Sequence, residues 1–221
     1  MHMITETSNY YFIVSQLPPD TSVVFHNVSW EEYEELLDQV GDANWLRISF
    51  NDGTLKVMSP SSFHEKYADF IKSMVTVVML RLRINILFFG STTIRKRKKS
   101  KGKEPDACFY VQTADVIGHR INLDFAVDPP PDVVVEIDIH HDSIDSFQLY
   151  SALGVPEIWR YDGQEMTIYH LRQDEYQIAE ASSALPMLTG SILADYLARM
   201  RQDGEFAAII AFDEWLQSLQ R

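Results

Sequence analysis

The chain has 221 residues, 46% hydrophobic and 12% aromatic, with a net charge of −13. That composition excludes wholesale disorder and suits one globular domain with a substantial core. No apolar run reaches the roughly 18 residues of a membrane span, and the opening MHMITETSNYYF lacks the regions of a signal peptide, so a cytoplasmic protein without membrane contact is expected. The single Cys108 excludes an internal disulfide and any cysteine-cluster metal site.

Residues 1–28 read as an N-terminal arm, extended over its polar first part with turn signals at Pro18 and Pro19. Residues 29–190 read as the core and 191–221 as C-terminal helices. Ser29 precedes a run in which Trp30, Tyr33, Leu36, Leu37 and Val40 recur at helical spacing. WLRISF and TLKVMS then flank Asn51, Asp52 and Gly53, a hairpin signal. Between about Phe63 and Arg83, the residues Tyr67, Phe70, Ile71, Met74, Val78 and Leu82 form one stripe and predict the longest helix.

INILFFGSTTI and PDACFYV predict strands on either side of a basic loop. That loop holds Arg95, Lys96, Arg97, Lys98, Lys99, Lys101 and Lys103, seven of the chain's 19 basic residues; the remainder carries 12 basic against 32 acidic residues. A dense cationic run in an acidic body reads either as a handle for nucleic-acid phosphates or as a solvated loop.

VVVEIDI predicts a buried strand. Period-two alternation puts Val133, Val135, Ile137 and Ile139 on one face and Val134, Glu136 and Asp138 on the other. Two carboxylates roughly 7 Å apart on an apolar strand need a cation, a hydrogen-bond donor or water. A short helix is expected over Ser143 to Leu153, stopped by Gly154, and EIWRYD, MTIYHL and EYQIAE read as a meander. From Ile192 onward Leu193, Tyr196, Leu197, Met200 and then Phe206, Ile209, Ile210, Phe212, Trp215 and Leu216 return to helical spacing. The succession predicts an α/β fold with a mixed central sheet flanked by helices.

Glu65 on the long helix, Asp106 at the head of a strand, and Glu136 with Asp138 on the next are the chemical candidates. A cluster of carboxylates repels itself unless a divalent cation relieves it, and hard oxygen ligands favour Mg²⁺ or Mn²⁺. Competing explanations are specific. Ser62 and Glu65 have capping-box spacing, and His140, His141 and Asp142 offer a zinc alternative. Ala68 stands where an H-E-x-x-H motif requires its second histidine, and no P-loop, Rossmann or nucleophile-elbow motif occurs.

Four ordered segments, GSTT (Gly90–Thr93), EPDACFYV (Glu104–Val111), DVVVEIDI (Asp132–Ile139) and GVPEIWRYD (Gly154–Asp162), resemble the Uma-type restriction-endonuclease-like proteins of the PD-(D/E)XK nuclease superfamily. The resemblance runs from about Ser29 to the C-terminus. It implies a restriction-endonuclease-like fold and a metal-dependent endonuclease hydrolysing phosphodiester bonds in DNA, with Asp106 and Glu136 as metal ligands and Glu65 as the helix acid. An isologous homodimer would let paired sites cut two strands.

The chain departs from the pattern at the lysine. Asp138 stands two residues after the glutamate where the superfamily often has lysine, and Ser146 stands four before Tyr150 where Uma-type relatives often place it. Lys66, Lys103 and Arg97 are the candidates to replace it. The competing reading is a catalytically impaired module that keeps the fold and binds nucleic acid or a protein partner.

Overall fold

The structure, a computed structural model, describes residues 8–41, 46–139 and 146–219. Its first half is organised by a five-stranded antiparallel sheet. The N-terminal segment is not the extended arm that its polar composition predicts: Ser8–Val14 form helix α1 and Thr21–Phe25 form strand β1. The physical reason is a handful of apolar anchors spaced too briefly to show periodicity. Val14 is fully buried, Leu17 packs beside it, and Tyr10 meets the ring of Phe25 at 4.9 Å.

Helix α2 (Trp30–Val40) begins with a reciprocal capping box, in which the Ser29 hydroxyl accepts from the Glu32 amide at 3.2 Å and the Glu32 carboxylate accepts from the Ser29 amide at 2.7 Å. Its buried Trp30, Tyr33, Leu36 and Leu37 cover one face of the sheet. Strands β2 (Arg47–Asn51) and β3 (Thr54–Ser59) form the expected hairpin. Asp52 and Gly53 have φ of 46° and 87°, the positive values that a two-residue type I′ turn demands.

Helix α3 (Ser62–Leu82) is the longest, as its stripe predicts. Strand β4 (Leu87–Gly90) follows it, and the basic run that comes next is a folded hairpin rather than a loop. Ile94–Lys96 form β5, Arg97–Lys99 a 3₁₀ turn and Lys101–Lys103 β6, which joins β2. The order of the first sheet is β1-β3-β2-β6-β5.

The second sheet holds β7 (Ala107–Tyr110), β8 (Val133–Ile137), β9 (Glu157–Tyr161), β10 (Met166–Arg172) and β11 (Glu175–Ala179), in the order β11-β10-β9-β8-β7-β4. It is mixed, because β8 and β9 run parallel while the other pairs are antiparallel. Short helix α4 (Ala114–Ile117) lies between β7 and β8. Alternation along β8 is as predicted: Val133, Val135 and Ile137 join the core that contains α3, whereas Val134 joins a separate cluster with Tyr150 and Leu153.

Those last two belong to α5 (Phe147–Leu153), which ends at Gly154 in the left-handed conformation (φ 84°) that a side chain would disfavour. Helices α6 (Gly190–Asp203) and α7 (Glu205–Ser218) close the α3 face through Leu193, Leu197, Phe212 and Leu216. The fold is thus mixed α/β, as the sequence pattern predicts, with a second, all-antiparallel sheet that the pattern did not foretell. Among the described residues no helix is long and apolar enough to cross a membrane.

The hairpin carrying Lys103 leans on Tyr33. A Cβ at Gly102 would sit 2.1 Å from the Tyr33 hydroxyl, and that ring is stacked on Phe50 at 4.8 Å, so it has little room to yield. Gly102→Ala should therefore cost about 1–3 kcal/mol of stability by overpacking. Urea denaturation checks this, and Tyr33→Phe in the same chain should recover part of the loss.

Candidate active site

Asp106 and Glu136 meet at the seam between the two sheets. Pro105 precedes Asp106 at the head of β7, and the register Ala107↔Val135 brings Asp106 next to Glu136 on β8. Backbone contacts fix the junction: the Asp106 amide donates to the Val135 carbonyl at 3.1 Å, and the Ile137 amide donates to Asp106 Oδ2 at 2.8 Å. Both carboxylates line one cleft together with Arg47, Lys56, His64, Lys103 and Asp138. Its volume of ≈ 40 Å³ exceeds the roughly 10–15 Å³ that a single water requires.

Cations from the five-stranded sheet neutralise these acids. Arg47, which is 4% exposed, donates through Nε to Asp106 Oδ1 at 3.1 Å and through Nη2 to Glu65 Oε1 at 2.5 Å. Burial opposes its charge, but Asp106 and Glu65 outweigh burial and hold the guanidinium above its usual range. Lys103 Nζ lies 3.4 Å from Glu136 Oε1 and 5.9 Å above the Tyr150 ring, and the Tyr150 hydroxyl also donates to Glu136 Oε1. Asp138 is paired with Arg160 of β9 at 2.5 Å.

Glu65 therefore reaches the site only through Arg47, and its own carboxylate is 42% exposed. The capping box that its spacing suggests does not form, because Ser62 is the first helical residue and the N-cap is Ser61, whose hydroxyl bonds His64 Nδ1 at 2.9 Å. Of the three candidate replacements for the missing lysine, Lys103 alone faces Glu136. Lys66 pairs with Glu205 at the surface and Arg97 with Glu31 and Glu34. His140, His141 and Asp142 lie outside the described residues.

The basic run disperses. Lys96 and Lys99 donate to the carbonyls of Leu153 and Ala152, Lys101 pairs with Asp52, Arg95 borders a separate groove with Trp30, and Lys98 is exposed. Sequence reasoning missed Arg47, although a lone cation within the apolar alternation of WLRISF was the available signal. Arg160 and the contact of Tyr150 with Glu136 were missed too, because only tertiary pairing reveals them.

A family model described as "Uma2: Putative restriction endonuclease" matches residues 30–199, from the start of α2 into α6. The chain belongs to the Uma2 family. Comparison with curated proteins gives no match. Among solved structures, the chain is similar to a crystal structure described as "a putative nuclease belonging to DUF820 from Anabaena variabilis ATCC 29413", with 18% identity, coverage of 68% of this chain and 90% of that chain, and a TM-score of 0.48. Membership places the chain in a family described by its restriction-endonuclease likeness, a class of hydrolases acting on nucleic acids.

Among the described residues of this Uma2 protein, no three His, Cys, Asp or Glu side chains are arranged to hold a metal. Two carboxylates remain a sufficient protein contribution for Mg²⁺, which keeps several waters and takes further oxygens from a substrate phosphate. Glu136 Oε2 forms no hydrogen bond to a described residue, and the oxygens of Asp106 have lone pairs to spare. The donor set fits such an ion.

Glu136 itself is pushed from 4.5 to about 7, first by burial and then by Asp106 and Asp138, against the opposing pull of Lys103 and the Tyr150 hydroxyl. A raised carboxyl pKa means that the fold tolerates the protonated form better. Stability relative to Glu136→Gln is thus fully present below pH 4.5, is lost as pH rises to about 7, and levels off above it. The loss should be on the order of a few kcal/mol. Urea denaturation of both proteins across this range checks it, with saturating Mg²⁺ expected to flatten the difference. A gap independent of pH would contradict the burial of this charge.

Proposed function

We propose that this protein is a metal-dependent endonuclease that hydrolyses phosphodiester bonds in DNA, using Mg²⁺ or Mn²⁺. The observation that carries the reading is the adjacency of Asp106 and Glu136 in one cleft with Lys103 at ion-pairing range of the second acid. Asp106 and Glu136 would hold the ion. A divalent cation there supplies charge stabilisation for the phosphodiester and polarises the attacking water.

The chain's own groups do the rest. Burial strengthens every charge interaction in the cleft. Lys103 takes the part that position 138 plays elsewhere in the superfamily: its ammonium stands where negative charge develops on a phosphate presented to Glu136. Tyr150 orients Glu136 through its hydroxyl. Arg160 pairs with Asp138 and keeps it from swinging toward Glu136, and Arg47 couples Glu65 to Asp106, so these two acids are positioning or assisting groups. Of the cationic hairpin from Arg95 to Lys103, Lys103 faces the cleft and exposed Lys98 at its turn would meet an outer backbone phosphate. Association as an isologous homodimer would set two such sites on two strands, and the reading takes the protein to act in the cytoplasm.

Two observations favour the alternative of a catalytically impaired binding module: Arg47 already satisfies Asp106 Oδ1, and Asp138 replaces the usual lysine. Metal binding separates the two. Isothermal titration should detect Mg²⁺ or Mn²⁺ binding at millimolar concentrations or below, and Glu136→Ala should abolish both that binding and cleavage of duplex DNA. Lys103→Met should retain metal binding while lowering kcat by about 10²-fold. Absence of binding in the native protein, or undiminished cleavage by Glu136→Ala, would remove the nuclease assignment.

A further inference from the structure

Strand register places a second cation beside the cleft, outside the basic run. On β2, Arg47 and Ser49 alternate with Ile48 and Phe50; on β3, Lys56 and Met58 alternate with Leu55 and Val57. The pairs Ser49↔Lys56 and Ser49↔Lys103 set Lys56, Ser49 and Lys103 in one row across β3, β2 and β6, and Arg47↔Met58 forms the row beside it. Directly paired residues share a face of the sheet.

The two faces differ in kind. One carries Ile48, Phe50, Leu55 and Val57 and is covered by α2. The other is open: Lys56 is exposed, Val24 of β1 is 45% exposed, and Ser49 and Met58 are half-buried. This open face runs straight into the cleft, whose lining includes Lys56, Ser49, Met58, Arg47 and Lys103 beside Asp106 and Glu136.

Charge accounting singles out Lys56. Each cleft acid has its own cation, with Arg47 on Asp106, Lys103 on Glu136 and Arg160 on Asp138. The Lys56 ammonium forms no ion pair or hydrogen bond among the described residues. A surplus positive charge at the mouth of such a cleft, on a chain of net charge −13, creates a local attraction for anions.

We propose that the open face of the five-stranded sheet is a track for a phosphodiester backbone, with Lys56 holding a phosphate next to the one presented to Asp106 and Glu136. This rests on the nuclease reading and specifies where its substrate is held. Lys56 and Lys103 stand two strand spacings apart, roughly 10 Å, so each serves its own phosphate. Ser49 lies between them and offers a hydroxyl donor to the backbone that crosses it.

The test is fluorescence anisotropy of a labelled duplex oligonucleotide with the full chain, in EDTA and across a salt series, alongside Mg²⁺-dependent cleavage. Lys56→Glu should weaken binding about 10-fold near 0.1 M salt, and the milder Lys56→Gln should reduce the salt slope by about 1. Arg172→Glu, the same charge change at an exposed residue ending β10, should shift affinity by less than about 2-fold. Native binding left unchanged by both Lys56 variants overturns the track alone, as does a loss seen with Lys98→Glu and not with Lys56→Glu. A native protein that neither binds nor cleaves overturns the track and the nuclease reading together.

Discussion

Two buried carboxylates from one sheet are neutralised by two cations from another, and that exchange of charge across the seam is the constraint on which the site depends. Asp106 and Glu136 come from β7 and β8, whereas Arg47 and Lys103 come from β2 and β6. Neither acid tolerates burial unpaired, and breaking such a pair by removing one partner costs about 3–5 kcal/mol, far more than the intact pair contributes. The two sheets are thereby held in one relative placement. Dispersion between apolar faces would leave them freer to slide, since packing rewards contact and not a unique register.

The same arrangement that stabilises the empty cleft opposes its loading. A divalent ion entering between Asp106 and Glu136 must share oxygens with Arg47 and Lys103. The competition is uneven. Arg47 is buried and bound to two acids, so it stays in place. Lys103 makes its closest acid contact at 3.4 Å, on the oxygen that Tyr150 already occupies, and its flexible stem lets the ammonium move toward a phosphate without leaving the cleft. Burial pushes the Glu136 carboxyl up to about 7, so a cation entering beside it favours its charged form.

What the sequence made legible followed from local periodicity. The alternation in VVVEIDI fixed which side of β8 Glu136 and Asp138 occupy, the stripe from Tyr67 to Leu82 fixed α3, and Asn51-Asp52-Gly53 fixed the β2–β3 turn. The opaque parts are those decided by partners far away in the chain. Arg47 and Asp106 are 59 residues apart, and nothing local to either announces the other. The N-terminal segment was misjudged because three anchors, Tyr10, Val14 and Leu17, outweigh its polar composition once a second core exists to receive them. The basic run was treated as a unit of composition, yet a strand sends neighbouring side chains to opposite faces, so Arg95 and Lys103 serve different surfaces.

Asp138 shows how a departure from a motif becomes self-consistent. A lysine at that position would stand beside Arg160, whose strand runs parallel to β8 in a register that pairs Glu136 with Arg160, and two cations would share one half-buried pocket. An aspartate there converts the repulsion into an ion pair, at the cost of adding a third acid near Glu136. That third acid raises the need for a cation on the opposite side of the cleft, and β6 supplies it through Lys103, 35 residues earlier in the chain. The charge missing from one strand is thus restored from another sheet, so the chemistry is set by which side chains converge in space and only loosely by the spacing at which they occur.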